Sequence, residues 1–193
     1  MLIGVLALQG DFKEHRIVLQ KLRVKSKEIR MPEDLQSIGG LIIPGGESTV
    51  MGNLMRKSHL DSAIKEKSRQ CMPIYGTCAG AILLAKDIID SGQPRLGLAD
   101  ISIRRNAYGS QPESFEDDIK AFGKTMHVAF IRAPQIVRCG PEVKILAAHG
   151  ESPVLVRQEN LLLSTFHPEI FSSTAIHRYF LRMCKDAKIS MIS

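Results

Sequence analysis

The sequence predicts a single α/β domain: three layers, with a mostly parallel central sheet and helices on both faces. Three observations predict it. Short apolar runs alternate with helical patterns along the first half of the chain, the signature of an α/β sheet. Loops rich in glycine follow several of those runs, where such sheets gather their sites. The 193 residues, 44% of them apolar, suit one core that needs neither disulfides nor a structural metal.

Taken in order, residues 2–8 read as a buried strand and residues 14–22 as a helix, with Ile17 and Val18 facing inward near Leu22. Residues 40–43 form a second buried strand, stopped by Pro44-Gly45-Gly46. Helical patterns follow at 49–56 and 60–68, then a short strand at 73–75 and a helix at 79–85. From Ile101 the runs become shorter and β-rich, with candidate strands at 101–104, 119–122, 128–131, 143–148, 154–158 and 161–166. The last helix covers 174–185, where Ile176, Tyr179, Phe180 and Met183 recur at helical spacing and face the core. Residues 186–193 are expected to fray. No linker, repeat or low-complexity segment interrupts residues 1–193, which are read as one domain.

Net charge is +6 with a pI near 9.3, but the basic residues are dispersed among acidic ones. The densest cluster, Lys21, Arg23, Lys25, Lys27 and Arg30, reads as a solvated helix end and loop; a protein or nucleic-acid contact is the alternative. Aromatic residues make up 5%, too few for base stacking, so no nucleic acid is expected. Of the four cysteines none forms a C-x-x-C pair, which fits a reducing compartment. No signal pattern is present, and the apolar start is too short to span a bilayer. The expectation is a cytoplasmic protein without membrane contact.

Three segments carry chemistry. Gly76-Thr77-Cys78-Ala79-Gly80, between a strand and a helix, is the thiol form of the G-x-S-x-G nucleophile elbow. Cys78 would sit at a helix N-terminus, whose dipole favours the reactive thiolate; a buried structural cysteine is the plainer alternative. In Phe166-His167-Pro168-Glu169, His167 can serve as base. An extended segment would point Glu169 to the same side, so that it orients the ring; a surface histidine beside a capping glutamate is the alternative. Pro44-Gly45-Gly46-Glu47-Ser48-Thr49 offers backbone N–H groups that can form an oxyanion hole, while Ser48 or Thr49 can cap the next helix. Cys71 and Cys139 match no catalytic motif and are assigned to packing, and His127, His149 and His177 lack a partner motif. Asp11 and Glu14 are explained by helix-start electrostatics.

Together these segments resemble the class I, triad-type glutamine amidotransferases. With Leu8-Gln9-Gly10-Asp11, Arg105-Asn106-Ala107-Tyr108-Gly109, Ser114-Phe115-Glu116 and Phe130-Ile131-Arg132-Ala133-Pro134, the chain is similar to glutaminase subunits of pyridoxal 5′-phosphate synthase from about Gly4 to Glu169. The resemblance implies a flavodoxin-like fold and hydrolysis of L-glutamine by Cys78, His167 and Glu169. It places glutamine at Gly46, Glu47, Ser48, Arg105, Ile131 and Arg132, with Glu47 suited to the α-amino group. It puts the oxyanion hole near Gly46 and Ala79, beside a Gln9-Gly10 loop that responds to a partner. That partner is the synthase subunit, which takes the ammonia and joins it to a pentose phosphate and a triose phosphate. No cofactor and no metal are implied. Arginines also suit the free carboxylate of glutamine on chemical grounds, a structural ion pair being the alternative. Ser110 departs from the family, which usually has arginine there.

Rival functions are a glutaminase serving another synthase, a cysteine peptidase or glyoxalase-like enzyme, and a non-catalytic binding module. The Arg105–Gly109 and Phe130–Pro134 segments argue against the first. Ala79, where the second often has histidine, and the intact Cys/His/Glu set argue against the others.

Overall fold

The computed structural model describes residues 1–105, 114–171 and 173–190. The strands are β1 (Leu2–Leu6), β2 (Lys25–Ile29), β3 (Leu41–Ile43), β4 (Ile74–Thr77), β5 (Ala85–Ile88), β6 (Ala99–Arg104), β7 (Phe115–Ala121), β8 (Lys124–Phe130), β9 (Gln135–Cys139), β10 (Lys144–His149), β11 (Ser152–Gln158) and β12 (Leu161–Ser164). The helices are α1 (Phe12–Lys21), α2 (Ser48–Lys57), α3 (Leu60–Arg69), α4 (Ala79–Leu84) and α5 (Ala175–Ser190), with a 3-10 helix at Pro32–Ser37.

Seven strands form the central sheet in the order β10-β11-β12-β4-β3-β1-β2. From β12 to β2 every pairing is parallel, and β10-β11-β12 is an antiparallel extension. The apolar runs are unbroken because both faces are covered. In β3, Leu41 and Ile43 join one core and Ile42 the other; Ile74 and Tyr75 divide the same way, as do Leu161, Leu163 and Leu162. Helices α2, α3 and α4 cover the first face through Met51, Met55, Leu60, Ile64 and Leu83. Helices α1 and α5 cover the second through Leu19, Ile176, Phe180 and Met183. Each such side chain contributes about 1.5–3 kcal/mol on full burial. Beside the central sheet lie a three-stranded sheet, β5-β6-β9, and a two-stranded ribbon, β7-β8. The ribbon packs Ile119, Met126, Val128 and Phe130 into the second core.

Several expectations are corrected. The basic cluster is not a loop: the chain turns at Arg23, in the left-handed region, and Lys25–Ile29 becomes the edge strand β2. Lysines suit an edge because they discourage further pairing, and Lys27 pairs with Asp34 at 2.8 Å while Arg16 and Arg30 both pair with Glu28. In α1 it is Leu19, not Ile17, that joins Val18 inside; Ile17 is half exposed. Strands β5 and β9 had no sequence counterpart. Cys71 is exposed rather than packed. Helix α5 runs on to Ser190, beyond the expected end at Lys185. Asn106, Ala107, Tyr108, Gly109 and Ser110 lie outside the described residues.

Candidate active site

Strands β1, β3, β4 and β12 end side by side, so the loops after them converge at one edge of the sheet. Cys78 follows β4 with φ 47° and ψ −102°, a strained conformation for a residue with a side chain. Its N–H donates to Ser164 O at 2.8 Å and its carbonyl accepts from Ile82 N at 3.1 Å, which holds the elbow from both sides. The flanking glycines are required by space. A Cβ on Gly80 would run into the Ile43 carbonyl, and one on Gly76 would lie 2.6 Å from the Gly80 carbonyl carbon. Helix α4 can therefore start flush against β3 and β4. The Cys78 thiol lies 3.9 Å from Ile131 O.

His167 follows β12, and its N–H donates to Ala129 O on β8 at 2.9 Å. Its Nδ1 lies 2.8 Å from Glu169 Oε1 and 3.4 Å from Asp11 Oδ2. Pro168 and Glu169 form a turn instead of the expected extended segment, and the turn itself brings the carboxylate back to the ring. Burial opposes charge on His167. The neighbouring Asp11, Cys78 and Glu169 outweigh it and raise the imidazole pKa from 6.5 to about 12. Burial would likewise raise the Glu169 carboxyl, but the facing His15 and the hydrogen bond from His167 hold it below its ordinary 4.5. With Nδ1 committed to carboxylates, Nε2 is the nitrogen left for the thiol. Asp11, His167 and Glu169 each bring a ligand atom within 4.8 Å of the others. The shared atom, Nδ1, is already engaged between two carboxylates as a donor, so the cluster reads as a held imidazolium rather than a cation site.

A cavity of about 390 Å³ joins Gln9, Gly10, Gly46, Glu47, Ser48, Cys78, Arg105, Ile131, Arg132 and His167, and adds Asp11 and Ile82. Glu169 lies behind His167, and Ala79 opens α4 directly after Cys78. Glu47, not Ser48 or Thr49, caps α2: its carboxylate accepts from Thr49 N at 3.3 Å and Val50 N at 3.1 Å. Arg105 reaches the same carboxylate at 3.2 Å. Its other terminal nitrogen donates to Gln93 Oε1 at 2.6 Å and Thr49 Oγ1 at 3.1 Å. Gln9 Oε1 accepts from Glu47 N at 2.7 Å, and Asp11 N donates to Gly45 O at 3.1 Å, so the first loop is laced to the second. Gly10 has φ +93°, and a Cβ there would strike the Gly45 carbonyl.

Residues 5–186 match the SNO glutamine amidotransferase family. The chain belongs to that family. It is 49% identical over 187 residues to "Pyridoxal 5′-phosphate synthase subunit PdxT" of Thermosipho africanus, covering 96% of this chain and 100% of that one. The protein of the same name from Pseudothermotoga lettingae is 53% identical over 186 residues, covering 95% of each. A crystal structure of a glutamine amidotransferase superposes with a TM-score of 0.92 at 46% identity, covering 95% of this chain and 98% of that chain.

Within this family member, four residues at the site escaped sequence reasoning. Asp11 precedes α1 but makes no capping hydrogen bond; its carboxylate faces His167 instead. Gln93 is buried and collects Ser48, Thr49 and Arg105 on one oxygen. His15 and His177 are fully buried behind Glu169. An i,i+4 pairing of Asp11 with His15 on one helical face was the only available signal, and it is a weak one.

Proposed function

We propose that this chain hydrolyses L-glutamine to L-glutamate and ammonia, with Cys78 as nucleophile, His167 as general base and acid, and Glu169 as the orienting carboxylate. The observation that carries this reading is the His167 ring, held by Glu169 at 2.8 Å, at a cavity that it lines together with Cys78, Glu47 and two arginines. With the thiol proton already on His167 Nε2, sulfur attacks the side-chain amide carbon as the thiolate. The tetrahedral intermediate collapses with that proton passing to the leaving nitrogen, giving ammonia and a glutamyl thioester. Water, deprotonated by the now neutral His167, then releases glutamate and restores the thiolate–imidazolium pair.

The contacts divide the recognition work. A carboxylate has about four acceptor sites, and Glu47 already uses three on Thr49, Val50 and Arg105. One remains for the substrate α-ammonium. Arg105 is committed to Glu47, Thr49 and Gln93. Arg132, exposed at the cavity, is the guanidinium to receive the α-carboxylate. Backbone groups near Gly46 and Ala79 supply the oxyanion hole. Glu47 N–H is bonded to the Gln9 side-chain amide oxygen, and a turn of the Gln9-Gly10 loop that carries this side chain away would free it. The relatives named as pyridoxal 5′-phosphate synthase subunits support a synthase subunit as the partner, and this reading assigns that partner the trigger of the turn. In this reading a hetero-oligomer forms in the cytoplasm, and the synthase subunit uses the ammonia with ribose 5-phosphate and glyceraldehyde 3-phosphate to make pyridoxal 5′-phosphate. Among the described residues no helix is long and apolar enough to cross a membrane.

The test is ammonia release from glutamine by the chain alone and with the synthase subunit, together with peptide mapping after a glutamine-analogue electrophile. Label on Cys78 and activation by the synthase are expected. Label on Cys71, Cys139 or Cys184, or no ammonia in either condition, would sink the reading.

A further inference from the structure

Behind the triad lies a chain of buried polar groups that the chemistry above leaves unused. His15 on α1 and His177 on α5 are inaccessible to solvent. His15 Nδ1 and His177 Nε2 are 2.9 Å apart, so one must donate to the other. The second nitrogen of His15, Nε2, lies 3.2 Å from Thr77 Oγ1 and 3.6 Å from Glu169 Oε2. Among the described residues, Glu169 Oε2 and His177 Nδ1 have no hydrogen-bond partner.

Counting protons selects one arrangement. Suppose His15 carries its hydrogen on Nδ1 and donates to His177 Nε2. A neutral His177 then holds its own hydrogen on Nδ1, a buried N–H without an acceptor. Nε2 of His15 could then accept from the Thr77 hydroxyl, but its lone pair would still face the Glu169 carboxylate at 3.6 Å. Now suppose the hydrogen sits on Nε2. It points to Thr77 Oγ1 and Glu169 Oε2, while Nδ1 accepts from His177 Nε2–H. What is left unmet are acceptor lone pairs only, on His177 Nδ1 and on Glu169 Oε2, which the N–H faces at 3.6 Å, and unmet acceptors cost less than an orphaned donor beside a repelling pair. Burial lowers the pKa of both rings, so neither competes with His167 for a proton.

We propose that His15 is a positioning residue of the glutaminase reaction. Its Nε2–H dipole holds the second oxygen of Glu169 and the Thr77 hydroxyl beside the nucleophile, and His177 fixes the tautomer that makes this possible. The proposal rests on the triad reading above. Glu169 must stay ionised and aligned while His167 gains and loses a proton, and one of its oxygens is taken by His167. Without His15 the other oxygen, which has no hydrogen bond of its own, would also lose the N–H dipole that faces it at 3.6 Å, and the carboxylate would more easily rotate or take a proton. The titratable groups that face Glu169 are His15, His167 and Tyr75. Those that face His15 are Glu169, His167, Asp11, Glu14 and His177. Cys78 and Asp11 face His167 from the other side.

Two measurements test it. The first is nitrogen–proton correlation spectroscopy of the histidine rings in the full-length labelled chain, with His15 assigned by the signals lost in His15→Gln. A hydrogen on Nε2 of His15 is expected; a hydrogen on Nδ1 overturns the proposal. The second is steady-state kinetics with the synthase subunit present. His15→Leu should lower kcat roughly 10–100-fold with KM changed by less than about twofold, the range seen when outer partners of site ligands are removed. The acid limb of its pH profile should move to higher pH, because Glu169 then protonates more easily. His15→Gln, which returns an N–H donor at similar reach, should recover most of kcat and the wild-type limb. Equal loss in both variants with an unmoved limb would make His15 a packing residue only. If His15→Leu does not fold, the tautomer and the His15→Gln profile still decide. Failure of the triad reading shows separately, as glutamine-analogue label on a cysteine other than Cys78 in the wild type.

Discussion

Replacing Cys78 by glycine and, separately, by alanine divides the conformational cost of the elbow from its chemistry. Both variants lose the sulfur, so both should lose glutamine hydrolysis. They differ in what happens to the backbone. At φ 47° and ψ −102° any residue with a Cβ is strained, and such positions cost on the order of 1–3 kcal/mol. Alanine keeps that strain; glycine removes it. Glycine loses more chain freedom on folding, about 0.4–1 kcal/mol, and forgoes the contacts of one methyl group. The balance favours Cys78→Gly over Cys78→Ala by roughly 1 kcal/mol, which for a chain of this length corresponds to about 2–4 °C in Tm. The assay is a pair of thermal melts followed by circular dichroism, with urea titrations as a check that the unfolding slope is unchanged. A Cys78→Gly variant that melts at or below Cys78→Ala would show that the elbow stores no strain worth relieving. The conformation would then be imposed at no cost by the bonds to Ser164 and Ile82.

Three further outcomes are expected. His167→Asn should abolish nearly all turnover and Glu169→Gln less; the double variant should be scarcely worse than His167→Asn, because members of one unit do not act additively. Multiplying losses in glutaminase assays would separate the two. Gly10→Ala places a methyl group against the Gly45 carbonyl at a positive φ, so it should block the loop rotation and reduce activation by the synthase about 10²–10³-fold, the usual worth of one oxyanion donor; normal activation would clear this loop of the role. Stability should fall as pH drops below 6.5, while above 6.5 the raised His167 should make it fall again as pH rises. His15 and His177 have lowered folded pKa values and take up protons only on unfolding in the acid window. Glu169, also lowered, should add its loss further down, below its ordinary 4.5. Urea midpoints between pH 8 and pH 4 check this, and His177→Gln should flatten the upper part of the acid slope.

Much of this was legible in the sequence for a definite reason. A parallel strand buried on both faces writes itself as an apolar run, and β1, β3, β4 and β12 do so. Glycines at their ends mark the places where main chains approach too closely for a Cβ, as at Gly80 against Ile43. What was not legible depends on side chains meeting across long separations. Asp11 reads as a helix start until β12 brings His167 to it. His15 and His177 are 162 positions apart and meet because α1 and α5 share one face of the sheet. Gln93 sits in a stretch without periodicity, and only the fold reveals the three donors on its oxygen. Strand β2 was missed because its lysines imitate a solvated loop, whereas an edge strand pairs on one side only and tolerates them.

The bond from His167 N–H to Ala129 O has a mechanical meaning. It ties the imidazole, which leaves the large central sheet at β12, to a two-stranded ribbon that is a separate sheet and, among the described residues, shares only this bridge with it. Such a ribbon is held in place mainly by its apolar face and loosens before a seven-stranded sheet does. The His167 ring is thus suspended between a stiff body and a soft one. Under mild denaturant the imidazole should lose its alignment with the thiol while the core is still folded, so catalysis should fade at lower urea than the circular dichroism signal, and the amide of His167 should exchange ahead of those in β3 and β4.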